Sequence, residues 1–359
     1  MKVAVLLSGG VDSSVALRLL KEAGHELTAF YLKIWLEDEL SFLGDCPWQE
    51  DLQYARGVCE QAGVPLEVLS LQREYWDTIV SYSIKELKAG RTPNSDMFCN
   101  RLIKFGKFFD KIDPGFDKVA SGHYALLENQ AGLYQMKKSP DPVKDQTYFL
   151  GYMRQEQLAR ALFPLGKYDK TAVRQLARKF DLPNKDRKDS QGICFLGQIR
   201  YTDFVRHHLG ELEGEFIDVE ENKVVGKHKG YWFYTIGQRH GLGLSGGPWY
   251  IVGKNTEKNE IYLSRNQDIR EKFNQIFYVQ DINWISGVPP EKERLQVKVR
   301  HGAEFYQCRL DLKASNAGVV TLDEPDQGLA AGQFAVFYDG DYCLGAGIIS
   351  SKDSSDQNI

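Results

Sequence analysis

Residues 2–14 constrain the fold more than any other stretch of the chain. KVAVLL at 2–7 is an unbroken apolar run, as expected of a parallel strand buried on both faces. Ser8-Gly9-Gly10 follows. Val15, Ala16, Leu19, Leu20 and Ala23 then recur at helical spacing over 13–23, and Gly24 is placed to end the helix. Glycines in such a turn let backbone amides approach an anion. The helix N-terminus adds free N–H groups and positive dipole, and Ser8, Ser13 and Ser14 add hydroxyls. A plain strand-to-helix turn would use similar residues, but a position at the carboxyl end of the first strand favours a ligand. The loop lacks the G-x-x-x-x-G-K pattern and its lysine, and it is not G-x-G-x-x-G.

The alternation continues. Strands are expected at 27–32, 66–71 and 117–122, and helices at 50–62, 74–88, 100–111, 153–161 and 169–180. This is a doubly wound parallel α/β sheet. From about residue 212 the texture becomes β-like, with short runs at 215–219, 223–226, 249–253 and 260–263. Six further runs between 276 and 349 suggest a small barrel. The expected organisation is an α/β domain over 1–205, a small mixed, β-rich domain over 206–272, a C-terminal β-barrel over 273–350 and a disordered tail over 351–359.

The chain has 359 residues and a net charge of −4, which excludes a uniformly basic nucleic-acid coat. The window 154–208 nevertheless holds twelve Lys and Arg against six acids, a local +6 that suits phosphate binding. Six cysteines without a C-x-x-C pair exclude a disulfide scaffold and make a zinc knuckle unexpected. The opening apolar run is too short for a signal peptide or membrane span, so a cytoplasmic protein with no membrane partner is expected. Cys59, Cys308 and Cys343 read as small buried residues, and Cys46 is undecided. Cys99 and Cys194 sit instead among turn and polar residues. Cys99 is expected to open the helix at 100–111, where the dipole favours a thiolate, and Cys194 follows Lys185, Arg187 and Lys188.

S-G-G-x-D-S resembles the PP-loop of ATP pyrophosphatases, which split ATP between the α- and β-phosphates. Further blocks sharpen the likeness: R-T-P-N-S-D-M-F-C-N (91–100), S-G-H-Y-A (121–125), K-D-Q-T-Y-F-L (144–150), S-Q-G-I-C-F (190–195), Y-T-I-G-Q-R-H-G-L (234–242) and A-G-Q-F-A-V-F-Y (331–338). In this order, across nearly the whole chain, they resemble the tRNA-specific 2-thiouridylases, which use ATP to thiolate the wobble uridine.

The resemblance implies a set of roles. Leu6, Leu7, Ser8, Gly9, Gly10, Val11, Asp12 and Ser13 would hold the ATP phosphates, with Asp12 near the pyrophosphate through Mg2+. Leu32 would offer its backbone to adenine, and Gly122 would line the same site. Asn94, Ser95 and Asp96 would meet the target base. Ser95 stands where the family has proline, which removes a φ restraint and adds a donor. Asp96 is the candidate acid/base. His123, Lys144, Asp145, Gln146, Arg300, His301 and Gln333 would contact tRNA. Cys194 would carry a persulfide, and Cys99 would be the nucleophile and its disulfide partner. The implied partners are the tRNAs for Lys, Glu and Gln, a cysteine desulfurase or relay protein as sulfur donor, and a reductant. Two other readings compete: a PP-loop synthetase or ligase that needs no cysteine pair, and a tRNA-binding module with an idle loop.

Overall fold

A computed structural model describes residues 1–34, 48–189, 200–266, 275–326 and 328–350. Strands β1 (Lys2–Leu6), β2 (Glu26–Lys33), β3 (Leu66–Ser70) and β4 (Lys118–Ala120) form the first sheet. After β4 the chain makes a hairpin, β5 (Ala125–Gln130) and β6 (Leu133–Lys138), before β7 (Ala161–Leu162) completes the sheet. The strand order is 3-2-1-4-7, all parallel. Connections after β1 leave toward one side and those of β4 toward the other, so the carboxyl ends of β1 and β4 flank the switch point where α/β sheets place ligands.

Side chains of β1 alternate between two cores. Val3 and Val5 pack with Val15, Leu52, Val58 and Ala177 from helices Val11–Glu22, Trp48–Ala62 and Lys170–Lys179. Ala4 and Leu6 pack on the other face with Phe30, Phe105, Phe108 and Val119.

The helix expected at 100–111 begins earlier. Asn94 caps it through a bond from the Met97 amide (3.3 Å), and Ser95–Phe98 forms its first turn. Residues Cys99–Lys107 are wound as a π-helix, with a kink at Phe105. Such wide turns leave carbonyls without their usual partners. Here Gln157 Nε2 donates to the Arg101 and Phe105 carbonyls, at 2.6 Å each. Gly106 belongs to the same distortion, since a Cβ there would lie 2.8 Å from the Arg101 oxygen.

The middle domain follows a helix at Tyr201–Leu209 that the sequence reading did not mark. Its strands β8 (Gly214–Asp218), β9 (Lys223–His228), β10 (Tyr250–Asn255) and β11 (Glu260–Ser264) form a sheet ordered 10-11-8-9. Its own core includes Phe216, Tyr231, Trp249 and Ile261. The Tyr231 hydroxyl donates to the Lys88 carbonyl (2.6 Å), and Lys254 Nζ donates to the Gly90 carbonyl (3.2 Å), which fixes this domain beside the 91–99 loop.

The C-terminal domain comprises β12 (Ile276–Trp284), β13 (Arg294–Lys298), β14 (Tyr306–Ala314), β15 (Ala317–Leu322), β16 (Phe334–Asp339) and β17 (Tyr342–Ser350). Their order is 12-15-14-13-16-17, and a β12–β17 pairing closes the barrel. The β5–β6 hairpin then joins the outside of β17, with Lys137 opposite Tyr342 and Met136 opposite Cys343. First and last domains therefore share one hydrogen-bonded ladder, and Phe334, Val336 and Tyr338 enter the same core as Tyr148, Leu150 and Tyr152. Among the described residues no helix is long and apolar enough to cross a membrane. The expectations for Cys46, Cys194 and the 351–359 tail lie outside the described residues.

Candidate active site

The loop after β1 is held open by its own hydroxyls. Ser13 Oγ donates to the Gly10 carbonyl (3.1 Å) and accepts from the Ser8 amide (3.2 Å), and Ser14 Oγ donates to the same Gly10 carbonyl (2.9 Å). Gly9 has φ +75°, and a Cβ there would strike the Asp51 carbonyl at 2.2 Å. Asn184 Nδ2 donates to the Gly9 carbonyl (2.7 Å) and to Ser14 Oγ (2.9 Å), and Arg187 also donates to Gly9 (3.2 Å) while pairing with Asp51 (2.5 Å). Asn184 is buried, and its Oδ1 has no partner among the described residues. Burial pushes the Asp51 carboxyl upward, against the pull of Arg187.

The loop after β4 closes on this turn. A Cβ at Gly122 would lie 2.8 Å from the Ser13 nitrogen and 2.9 Å from the Asp12 carbonyl carbon. Only a glycine lets the two backbones meet so closely. Next to it, His123 Nδ1 is 2.7 Å from Ser121 Oγ, and the ring packs on Phe163 and Phe105. Burial, aided by Lys104, holds that imidazole well below its usual range, so it is neutral at pH 7. Phe105 lies on the helix that carries Cys99. Thus the Gly122–His123 turn that closes on Ser13 also touches the Cys99 helix, through the Phe105 ring.

Asp12, in the first turn of its helix, accepts from the Tyr124 hydroxyl (2.9 Å) and from Lys170 Nζ (2.7 Å). Lys170 also reaches Asp189 Oδ1 (2.8 Å), which Arg174 shares (2.5 Å), and Lys144 takes Asp189 Oδ2 (2.7 Å). Burial opposes ionisation of Asp189, but bonds from Lys144 and Lys170 and their charges outweigh it and hold its carboxyl at about 2. Leu32 lies on β2 beside β3, opposite Leu69.

The Asn94-Ser95-Asp96 turn and Cys99 form the second half of the site. Cys99 is 1% exposed and sits one turn inside the helix rather than opening it. The preceding strap is pinned from two sides. Arg91 makes a bidentate pair with Glu86 (2.6 Å for each bond). From the barrel, Gln333 Nε2 donates to the Thr92 (3.1 Å) and Pro93 (3.0 Å) carbonyls, and its Oε1 accepts from Asn94 (3.3 Å). The Thr92 amide donates to the Ala331 carbonyl (2.8 Å).

The other residues marked from the sequence lie nearby. Asp145 is buried, accepts from the Ser139 amide (3.1 Å) and the Thr147 hydroxyl (2.7 Å), and faces buried Lys298 (3.9 Å). Gln146 accepts from the Tyr124 amide (3.1 Å). His301 stacks one face of its ring on Phe149 at 4.6 Å, and the partial desolvation this brings, with Lys298, holds its imidazole below its usual range. Arg300 donates to Asp326 through both terminal guanidinium nitrogens, Nη1 and Nη2.

Comparison with known proteins fits this geometry. A family model described as "tRNA methyl transferase HUP domain" matches residues 1–198, a "tRNA methyl transferase PRC-barrel domain" matches 202–265, and an "Aminomethyltransferase beta-barrel domain" matches 274–349. The tRNA-specific 2-thiouridylase MnmA of Parabacteroides distasonis is 45% identical over 356 residues, covering 97% of this chain and 99% of that protein. The chain belongs to the tRNA-specific 2-thiouridylase family. A second member, named tRNA-specific 2-thiouridylase MnmA 2, from Bacteroides fragilis, is 44% identical over 97% of this chain and 100% of its own length. An NMN synthetase structure from Francisella tularensis aligns over 56% of this chain and 71% of its own, at 19% identity and TM-score 0.36, too slight a likeness to add anything.

Within this thiouridylase fold, Lys170, Arg174, Asn184, Arg187 and Asp189 escaped the sequence reading as loop partners. They lie in the basic window 154–208, whose charge alone points to a phosphate-binding RNA surface. Lys170, Arg174 and Arg187 turn inward to the carboxylates of Asp12, Asp189 and Asp51, whereas Arg154, Lys167, Arg178, Lys179 and Lys188 remain exposed.

Proposed function

We propose that this chain converts the wobble uridine of tRNA to 2-thiouridine, consuming ATP and releasing AMP and pyrophosphate. The observation that carries the reading is the junction of the Ser8–Ser14 loop with the Cys99 helix through Gly122, His123 and Phe105. A nucleotide on the loop and a base at Asn94–Asp96 would then share one cleft. The loop suits ATP phosphates by its chemistry: glycine backbone, three hydroxyls, a helix N-terminus and nearby cations. Leu6 to Ser13 hold the polyphosphate, Leu32 offers its backbone to adenine, Gly122 closes over the loop, and Asp12 is the carboxylate that would hold the Mg2+ accompanying ATP, whose charge would offset that of the phosphates.

Uracil O2 is a poor leaving group. Its attack on the α-phosphorus expels pyrophosphate and leaves an adenylated base, from which AMP departs readily. Sulfur comes from a persulfide on Cys194. Either Cys99 attacks Cys194 and frees hydrosulfide, or the terminal sulfur attacks C2 directly and Cys99 then releases it. Both routes end in a Cys99–Cys194 disulfide, and an external reductant restores the thiols. Asp96 moves the proton at the base, and the uridine is flipped out of its stack to reach it. Asn94, Ser95, His123, Lys144, Asp145, Gln146, Arg300, His301 and Gln333 form the tRNA-facing side. Of these, Asp145 and Gln333 act through the segments they hold. The working units are 1–205 for ATP and chemistry, 206–272 as a spacer and 273–350 for tRNA. The sulfur donor is a cysteine desulfurase or a relay protein, and the setting is the reducing cytoplasm, where the disulfide is reopened each turnover.

Purified protein incubated with ATP and a wobble-uridine tRNA is expected to release AMP and pyrophosphate only when the tRNA is present. Cys99→Ser and Cys194→Ser should each abolish thiolation while ATP binding persists. Full thiolation by either variant, or ATP cleavage indifferent to tRNA, would overturn the reading. Two of the matching family models are described as tRNA methyl transferase domains instead. A methylase has no evident need for a pyrophosphatase-type loop, and the mass of the modified uridine separates the two.

A further inference from the structure

The phosphate loop carries no lysine anywhere in Ser8–Ser14. The fold delivers one from far along the chain. Lys170, the first residue of the helix Lys170–Lys179, has a side chain only 16% exposed, and its Nζ lies 2.7 Å from Asp12 Oδ1 in the loop itself. Its second carboxylate is Asp189, at 2.8 Å. Lys144, Lys170 and Arg174 gather here around Asp12 and Asp189, and Asp141 is the third carboxylate, accepting from the Lys170 (2.9 Å) and Lys144 (3.0 Å) amides. A buried ion pair contributes little net stability against a well-packed apolar alternative, so fold stability alone gives no reason to bring a lysine to the loop. A polyphosphate arriving there does.

We propose that Lys170 is the phosphate-binding lysine of this site, parked on Asp12 and Asp189 until the polyphosphate of ATP enters. The inference rests on the reading of Ser8–Ser14 as an ATP loop. Lysine suits the role because its ammonium is a compact charge on a flexible four-carbon stem, able to turn between partners. The surroundings are built to tolerate its departure. Asp189 keeps Lys144 (2.7 Å) and Arg174 (2.5 Å), and Asp12 keeps the Tyr124 hydroxyl (2.9 Å) and its place at a helix N-terminus. No buried carboxylate is orphaned when the ammonium swings to a phosphate oxygen. Arg174 lacks that freedom, because it also holds the Lys185 and Arg187 carbonyls (3.2 and 2.6 Å), and Lys144 pairs with Asp189 rather than with Asp12 of the loop.

The test is calorimetric titration of the full chain with ATP and, separately, with adenosine, for the native protein and for K170M, K170Q and K170R. Loss of one charge-assisted contact should weaken ATP binding about tenfold to a hundredfold in K170M and K170Q. Adenosine binding should stay unchanged, and K170R should recover most of the loss. K170Q keeps the comparison available if K170M does not fold. ATP affinity unchanged in K170Q or K170M overturns the assignment. So does an equal loss for ATP and adenosine, which marks a purely structural role. A native protein that binds no ATP refutes the ATP-loop reading itself, and is thereby distinguished from failure of the lysine assignment alone.

Discussion

Gly122→Ala perturbs the contact that joins the two halves of the proposed site. A Cβ at this position would sit 2.8 Å from the Ser13 nitrogen, 2.9 Å from the Asp12 carbonyl carbon and 3.0 Å from the Ser13 Cα. All three are backbone atoms of the first helical turn, so no side chain can rotate away. That turn is itself fixed, by Ser13 and Ser14 on the Gly10 carbonyl and by Asn184 on Gly9. Either the phosphate loop or the end of β4 must shift by several tenths of an ångström. Overpacking of this kind costs about 1–3 kcal/mol, and a displacement approaching 1 Å at a reacting site costs on the order of a hundredfold in rate. Gly57→Ala is the matched control. Its Cβ would meet Pro183 at an ordinary 3.5 Å, inside the helix Trp48–Ala62, so it should be neutral or stabilise by up to about 1 kcal/mol. Thermal melts and ATP titrations of both variants form the assay. The expected result is weaker ATP binding and a lower melting temperature for Gly122→Ala alone. Native ATP affinity in Gly122→Ala would refute the claim that this close approach shapes the ATP loop.

Three further outcomes are expected. Gln333→Ala removes the amide that holds Thr92, Pro93 and Asn94. With two carbonyls losing their donor at about 1 kcal/mol each, thiolation should fall at least tenfold while ATP affinity stays native, as separate turnover and binding assays would show. Asp189 has a folded-state carboxyl held at about 2, below its ordinary value. Its stabilising contribution is therefore complete above the usual carboxylate range and is lost as pH falls from about 4 toward 2; acid melts of the native chain against Asp189→Asn should converge over that interval. Gln157→Leu strips the partner from the Arg101 and Phe105 carbonyls and should destabilise the Cys99 helix by about 1–3 kcal/mol, read as faster amide exchange over 99–107.

The parallel sheet was legible because each of its first strands is a short apolar run followed by a helical period, and local pattern is enough for that. The barrel strands were legible for the same reason. The β5–β6 hairpin was not: Leu126–Gln130 is mostly half-exposed or exposed, and its partner, β17, lies some two hundred residues onward. The early start of the Cys99 helix had a local sign, Asn94 as a cap residue, which the expectation of a helix at 100–111 passed over. Lys170, Asn184 and Asp189 had no such sign. Each is an ordinary polar residue in a charged stretch, and only folding brings them to a loop more than 150 residues away. The +6 window was real as arithmetic, but part of it neutralises carboxylates at the phosphate loop instead of facing RNA.

The most direct measurement is mass spectrometry of nucleosides from a wobble-uridine tRNA after incubation with the protein, ATP, a sulfur donor and a reductant. The account predicts a uridine about 16 Da heavier, oxygen exchanged for sulfur, appearing only with ATP and only while Cys99 and Cys194 are intact. An unmodified uridine, or one about 14 Da heavier as methylation would give, would contradict it.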